Sequence, residues 1–115
     1  MSRRLVVRSA AEADIVNAAL WYEAQVAGLG TDFLRAIDTA VTEITRMPER
    51  FPMVHPHCRR ALLKRFPQCI FSVASADVIS IIACMHARRD PRRWEERSGS
   101  DRQQANRAAQ AVRYD

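Results

Sequence analysis

One imidazole and four guanidinium groups fall within eight consecutive residues of this chain: His86, Arg88, Arg89, Arg92 and Arg93, with Trp94 directly behind them. A histidine titrates close to neutral pH, so His86 has two readings: a proton carrier or target contact, or a strand-end side chain bonded to nearby backbone or to Asp90. The arginines are easier to read. Their planar forks match carboxylate and phosphate oxygens two bonds at a time, which lysine does less well, so several of them together suit an acidic partner. Asp90 lies among them and can pair with Arg89 or Arg93 to hold a turn. Trp94, set amid arginines, can fold back over a sheet edge or stack against a partner.

Three further groups invite chemistry. Arg60, Lys64 and Arg65 form a second basic run that can add to the same acidic-partner surface. His55, His57 and Cys58 make an H-x-H-C group of the ligand types zinc takes, but no fourth ligand, CxxC or HExxH accompanies it, and a proline-rich exposed loop explains it better. No metal and no cofactor is expected. Trp21 and Tyr22 can stack bases, yet Tyr22 falls on an apolar helical stripe, which favours packing.

These residues are delivered by Val78 to Met85, a run apolar everywhere except Ser80. It is too short to cross a bilayer and too continuous for a strand with one wet face, so it predicts a buried strand from Val78 to His86. Upstream, Arg4 to Arg8 suits a first strand. Ser9 and Glu12 have capping-box spacing, and Ile15, Ala19, Tyr22 and Val26, with Val16 and Leu20 beside them, draw a helix from residue 10 to about 27 that Gly28 ends. Thr31 is then the expected cap of a second helix carrying Phe33, Leu34, Ile37, Val41, Ile44 and Met47, stopped by Pro48. So short a connection makes an antiparallel helical hairpin, whose apolar face needs a sheet.

Residues 48–58, with three prolines, read as a loop. Strands are expected at 59–65 and 69–74, with a turn at Phe66-Pro67-Gln68 and a hairpin at Ser75-Ala76-Asp77 leading into the last strand. The fold class is therefore α+β: an N-terminal strand, then a helical hairpin packed on a mainly antiparallel four-stranded sheet. Pro91 opens a short helix or turn through Arg97. Residues 1–97 form the domain and 98–115 a polar tail, in which SGS reads as a linker. Ser100 and Gln103 have capping spacing there, and Ala105, Ala108, Ala109 and Val112 make only a thin seam, so the tail is helical or disordered.

With 115 residues, 48% of them hydrophobic, the chain is long enough for one two-layer core without disulfides. Its three cysteines have no regular spacing and read as reduced core thiols. The N-terminus resembles neither a signal peptide nor a membrane anchor, which predicts a cytoplasmic protein. The net charge of +5 is unevenly spread. Residues 1–50 hold six Arg against seven acids, whereas residues 51–97 hold nine basic groups against four acids. The positive half is the strand half, so nucleic acid, a ribosome surface or an acidic protein is the partner class.

The order strand, helix, helix, three strands, basic end, with RRALLKRFP followed by a hairpin and ACMHARRDPRRW, resembles the RelE/ParE superfamily of bacterial type II toxins, most closely the ParE-like, plasmid-stabilisation branch. The likeness runs over about residues 4–94. It is carried by Trp21-Tyr22, the Pro48 helix stop, Arg60 through Phe66-Pro67, and His86 with Arg89-Asp90. The resemblance implies a growth-inhibiting cytoplasmic toxin neutralised in a hetero-oligomer with an antitoxin encoded beside it. ParE-like members poison DNA gyrase without nuclease activity; RelE-like members cut mRNA in the ribosomal A site. The nuclease alternative would use His86 with Arg65, Lys64 and Arg89, since RNA cleavage needs a base, an acid and cations for the crowded phosphate. Many nuclease members carry a Tyr in or just after the last strand. This chain has Ala87 there, and Gln68 and Ser72 where relatives often have aromatic residues, which favours the gyrase branch. Under either branch Arg60, Lys64, Arg65, His86, Arg88, Arg89, Arg92, Arg93 and Trp94 are the expected target-binding residues.

Overall fold

The computed structural model describes residues 3–88 and 91–101. In chain order the elements are β1 (Arg4–Val7), α1 (Ser9–Gln25), α2 (Leu29–Arg46), a 3-10 turn (Pro48–Arg50), β2 (Met53–His55), β3 (Cys58–Leu62), β4 (Gln68–Ala74) and β5 (Val78–His86). A third helix, α3, follows over residues 91–101. The strands form one sheet in the order β1-β5-β4-β3-β2. β1 runs parallel to β5 and the other neighbours are antiparallel.

The α+β class and the helical hairpin on a mainly antiparallel sheet are as expected, with one strand more than the four expected. The addition is β2, inside the proline-rich stretch. Three residues suffice for an edge strand, and the prolines stand outside it, where no ladder donor is needed. Pro56 and His57, the latter at φ 64, form the two-residue turn that joins β2 to β3. Proline before a positive-φ residue is the pattern a type II turn requires.

Both helix starts differ from expectation. Arg8, in extended conformation, occupies the N-cap position of α1, and no side chain caps the helix. Ser9 is already helical, because β1 feeds directly into α1: the Arg8 N–H bonds to the Ile81 carbonyl and the Arg8 carbonyl accepts the Glu12 N–H. Gly28 does adopt the left-handed conformation, at φ 89, but as the N-cap of α2, not the end of α1. Thr31 therefore lies within α2. Its capping role passes to Glu23 of α1, whose carboxylate accepts the N–H groups of Gly28 at 2.9 Å and Gly30 at 3.0 Å.

The hairpin packs on one sheet face through Tyr22, Phe33, Ile37 and Ile44 against Leu63, Ile70, Ile79 and Ile81. The opposite face carries Cys58, Cys69, Phe71, Val73 and Met85, and Trp94 of α3 covers it. Burial on both faces explains why β5 lacks alternation: seven of its nine residues are buried. Its ends, Val78 and His86, are those expected from the sequence.

Where SGS predicted a linker, α3 continues without a break through residues 98–101. Ser98 and Asp101 are buried, Ser98 hydrogen-bonded to the Cys58 thiol and Asp101 paired with Arg8. Those contacts outweigh the weak helix propensity of Ser and Gly. Gln103 and the seam from Ala105 to Val112 lie outside the described residues. All three cysteines are buried free thiols. No helix among the described residues is long and apolar enough to cross a membrane.

Candidate functional site

One end of the sheet collects the basic groups. Leu62 pairs with Cys69 and Gln68 with His86, so the exit of β3, the entry of β4 and the exit of β5 lie side by side. Two loop bonds hold them together: Leu63 N–H to Gln68 O at 3.1 Å, and Ala87 N–H to Pro67 O at 3.0 Å. Lys64 and Arg65 lie in the loop between β3 and β4, Arg65 at φ 71, and His86 and Arg88 lie just across β4 from them. All four side chains are exposed.

Within that end the groups separate into two clefts. Lys64 and Arg65 line a hollow of about 290 Å³ against α2, with Arg35, Asp32, Glu43 and an apolar floor that includes Ala40 and Phe66. His86 lines a different cleft of about 670 Å³ between α1 and α3, with Trp21, Tyr22, Gln68, Arg93, Arg97 and Asp14. Of these two clefts, the imidazole lines one and the Lys64–Arg65 pair the other.

The His86 ring is already engaged. Its Nδ1 accepts the Arg88 N–H at 3.0 Å, which realises the backbone-bonded reading of this residue. A neutral ring bonded this way carries its proton on Nε2 and presents a donor there, not a base. Arg89 and Asp90, including any pairing of Asp90 with His86, Arg89 or Arg93, lie outside the described residues. Arg92 and Arg93 are exposed on α3.

Arg60 and Trp94 differ from a surface reading. Arg60 pairs with Phe71 on the α3 side of the sheet and is half-buried, with Nε shielded from water and without a hydrogen-bond partner among the described residues. Trp94 is 8% exposed and stacks on Phe71. It closes the core under α3, as the fold-back reading expects, and its ring faces the sheet instead of solvent.

The H-x-H-C group disperses. Cys58 is in the core, where burial pushes its thiol up to about 11; His55 stands edge-on to Trp94 with Nδ1 3.8 Å from Glu95; His57 forms the β2–β3 turn. Among the described residues no three His, Cys, Asp or Glu groups are arranged to hold a metal. Trp21 and Tyr22 also part. Tyr22 is buried among Phe33 and Phe66 and its hydroxyl donates to Gln68 Oε1 at 2.9 Å, whereas Trp21 is 60% exposed at the mouth of the larger cleft. With Val16 at 48% and Leu20 at 64%, it gives α1 an apolar outer side as well as an apolar inner one.

Sequence reasoning missed Asp14 and Arg97. Asp14 Oδ2 accepts the Cys84 N–H at 3.0 Å and an Arg97 N–H at 2.6 Å, and the same Arg97 nitrogen donates to the Ile82 carbonyl at 3.2 Å. These partners are 70, 83 and 15 residues apart in the chain, so no local spacing betrays them.

No family model matches the chain, and no curated protein does. Among solved structures, a chain of the chromosomal ParDE TA system from P. aeruginosa is similar in fold, with a TM-score of 0.67 at 17% identity over 74% of this chain and 96% of that one. The agreement spans nearly all of that chain, so the two share a fold, an α+β arrangement of the kind expected from the residues.

Proposed function

We propose that this chain is the toxin of a type II toxin-antitoxin module, neutralised by a cognate antitoxin, and that it acts in the cytoplasm as a ParE-like inhibitor of DNA gyrase. The observation that carries the reading is the fold likeness over almost the whole length of a chain from a ParDE TA system. The basic end of the sheet supports an acidic target or partner. For the antitoxin, α1 offers exposed Val16, Leu20 and Trp21, of which Trp21 shares a cleft with His86 and Arg93. A helix apolar on both sides is ordinarily covered on both, which suits an amphipathic partner segment carrying acidic residues.

Two features support gyrase inhibition over RNA cleavage. The His86 Nδ1 is taken by backbone, and two of the three cations named for phosphate, Lys64 and Arg65, line the other cleft. The test is a supercoiling assay with purified protein: inhibition and gyrase-dependent DNA cleavage are expected at stoichiometric toxin, and normal supercoiling there sinks the reading. The alternative, a ribosome-dependent mRNA endonuclease, draws support from the exposed His86 sharing its cleft with Arg93 and Trp21. It requires codon-positioned cuts in translated mRNA that His86→Ala abolishes.

A further inference from the structure

β5 carries a bulge. Phe71 pairs with Ala83 and the next residue, Ser72, pairs with Ile81, so Ile82 is one residue too many against β4. An inserted residue bends a strand and increases its twist, re-aiming everything beyond it. Beyond it in β5 lie Ala83 to His86, with Arg88 shortly after, at the basic end that the proposed function turns to an acidic target.

The bulge falls where β5 loses its other neighbour. β1 pairs with Val78 to Ile81 and its last link is the Arg8 N–H to the Ile81 carbonyl. Past Ile81 no described strand flanks β5 on that side. The backbone groups freed there are met by side chains from two helices: the Ile82 carbonyl by Arg97 of α3, the Cys84 N–H by Asp14 of α1. The two side chains also bond to each other at 2.6 Å, with a second, longer contact of 3.5 Å. Their burial is substantial, with 20% of Asp14 and 30% of Arg97 exposed, so the bonds are partly shielded from water.

We propose that Asp14 and Arg97 are positioning residues, which fix the bulge of β5 and thereby aim His86 and Arg88 at the target. This rests on the proposed function for its activity readout alone; the geometric claim stands apart from it. The carboxylate at 14 accepts from the strand and Arg97 on one oxygen, meets the second Arg97 nitrogen with the other, and supplies the charge that Asn lacks. At 97 one terminal guanidinium nitrogen donates to both Asp14 and the Ile82 carbonyl while the other reaches the second Asp14 oxygen, a planar two-nitrogen contact that lysine cannot reproduce. Neither requirement concerns the hairpin core, to which α1 contributes other residues, Ala11, Ala19 and Tyr22.

The experiment compares wild type, Asp14→Asn, Arg97→Lys and the exchanged pair Asp14→Arg with Arg97→Asp, as full-length protein. Backbone amide shifts from Ile82 to Arg88 are read against those of the hairpin, the folded fraction is measured by circular dichroism, and gyrase inhibition is compared at equal folded protein. In the single variants the Ile82–Arg88 amides shift while hairpin amides stay, and inhibition falls at least tenfold with the folded fraction above nine-tenths. The exchanged pair keeps opposite charges between α1 and α3 but sets no acceptor on α1 for the Cys84 N–H and no donor on α3 for the Ile82 carbonyl, so the amide shifts and the loss of inhibition persist in it. Full recovery would reduce the role of the two residues to an ion pair and overturn the proposal. If Asp14→Asn does not fold, Arg97→Lys decides, since it keeps the charge and loses the forked geometry. Unmoved Ile82–Arg88 amides overturn the proposal, and so does full inhibition by a variant in which they have moved. Wild-type protein that leaves supercoiling intact defeats the gyrase reading instead, and the amide shifts then decide the positioning claim by themselves.

Discussion

The Trp94 indole lies flat against the Phe71 ring, with centroids 4.7 Å apart and planes 14° from parallel. That stack attaches α3 to the sheet face the helical hairpin leaves open. An indole removed from water and stacked on an aromatic ring contributes both area burial and a specific contact. Trp94→Ala is therefore expected to lower stability by about 3–5 kcal/mol, the usual range for a large aromatic core truncation. Urea denaturation measures it. A Trp94→Ala protein of unchanged stability would instead mean that the ring serves a partner and not the core.

The connection between α1 and α2 depends on Gly30. A Cβ built there would stand 2.6 Å from the Ala19 carbonyl oxygen and 3.0 Å from Glu23. Backbone cannot yield as a side chain can, so the close crossing of the two helices would have to open. Gly30→Ala is expected to destabilise by about 1–3 kcal/mol despite the roughly 1 kcal/mol that alanine gains in helix propensity. Gly28, with open space around it but φ 89, fails differently under substitution, through backbone strain. A thermal melt of Gly30→Ala that matches wild type would show that the hairpin spreads at no cost.

How far these features are legible in the sequence depends on the range of the interaction that makes them. Val78–His86 was readable to its last residue because a strand buried on both faces writes its environment into every position. The hairpin was readable from its period, but its junction was not: the cap at Gly28 comes from Glu23 in the preceding helix, and the local candidates Ser9 and Thr31 each fall inside a helix. β2 escaped because three residues between prolines carry no pattern of their own. The stretch from Ser98 to Asp101 reads as a linker by composition and is helical because Cys58 and Arg8, far away in the chain, hold it. At the candidate site the basic residues are visible as a list, yet their division into two clefts is a property of the sheet's register.

Cys84 gives the fold an alkaline limit. Burial first, then the nearby Asp14 carboxylate and Cys69, raise its thiol from 9.0 to about 12. Cys58 moves the same way, to about 11, chiefly by burial. In the unfolded chain these thiols ionise near pH 9 while the folded protein still holds their protons, so the unfolded state gains as pH rises. Their contribution to stability is complete below pH 9 and is lost progressively between about pH 9 and 12. Urea midpoints measured across that window should fall more steeply for wild type than for Cys84→Ala. Native thiols should also resist alkylation at pH 8, since only the rare thiolate reacts; rapid modification of folded protein at that pH would contradict the burial.

His86 and Arg88 are joined by one hydrogen bond and separate the two functional readings. The Arg88 N–H to His86 Nδ1 bond leaves the guanidinium at the exposed end of the sheet while tying the ring to backbone. Arg88→Glu reverses a charge where an acidic target is expected, and should reduce growth arrest at least tenfold under either reading. Arg93→Glu, at the mouth of the His86 cleft, should act in the same direction. His86→Ala removes an acceptor of one exposed bond, worth about 1 kcal/mol. A gyrase inhibitor should therefore lose no more than several-fold in potency, whereas a nuclease relying on the imidazole would lose two to four orders of magnitude. Growth arrest and supercoiling inhibition, titrated for the three variants at matched soluble protein, give the comparison. If His86→Ala abolishes arrest, the imidazole does the work, and the gyrase reading gives way to cleavage of RNA.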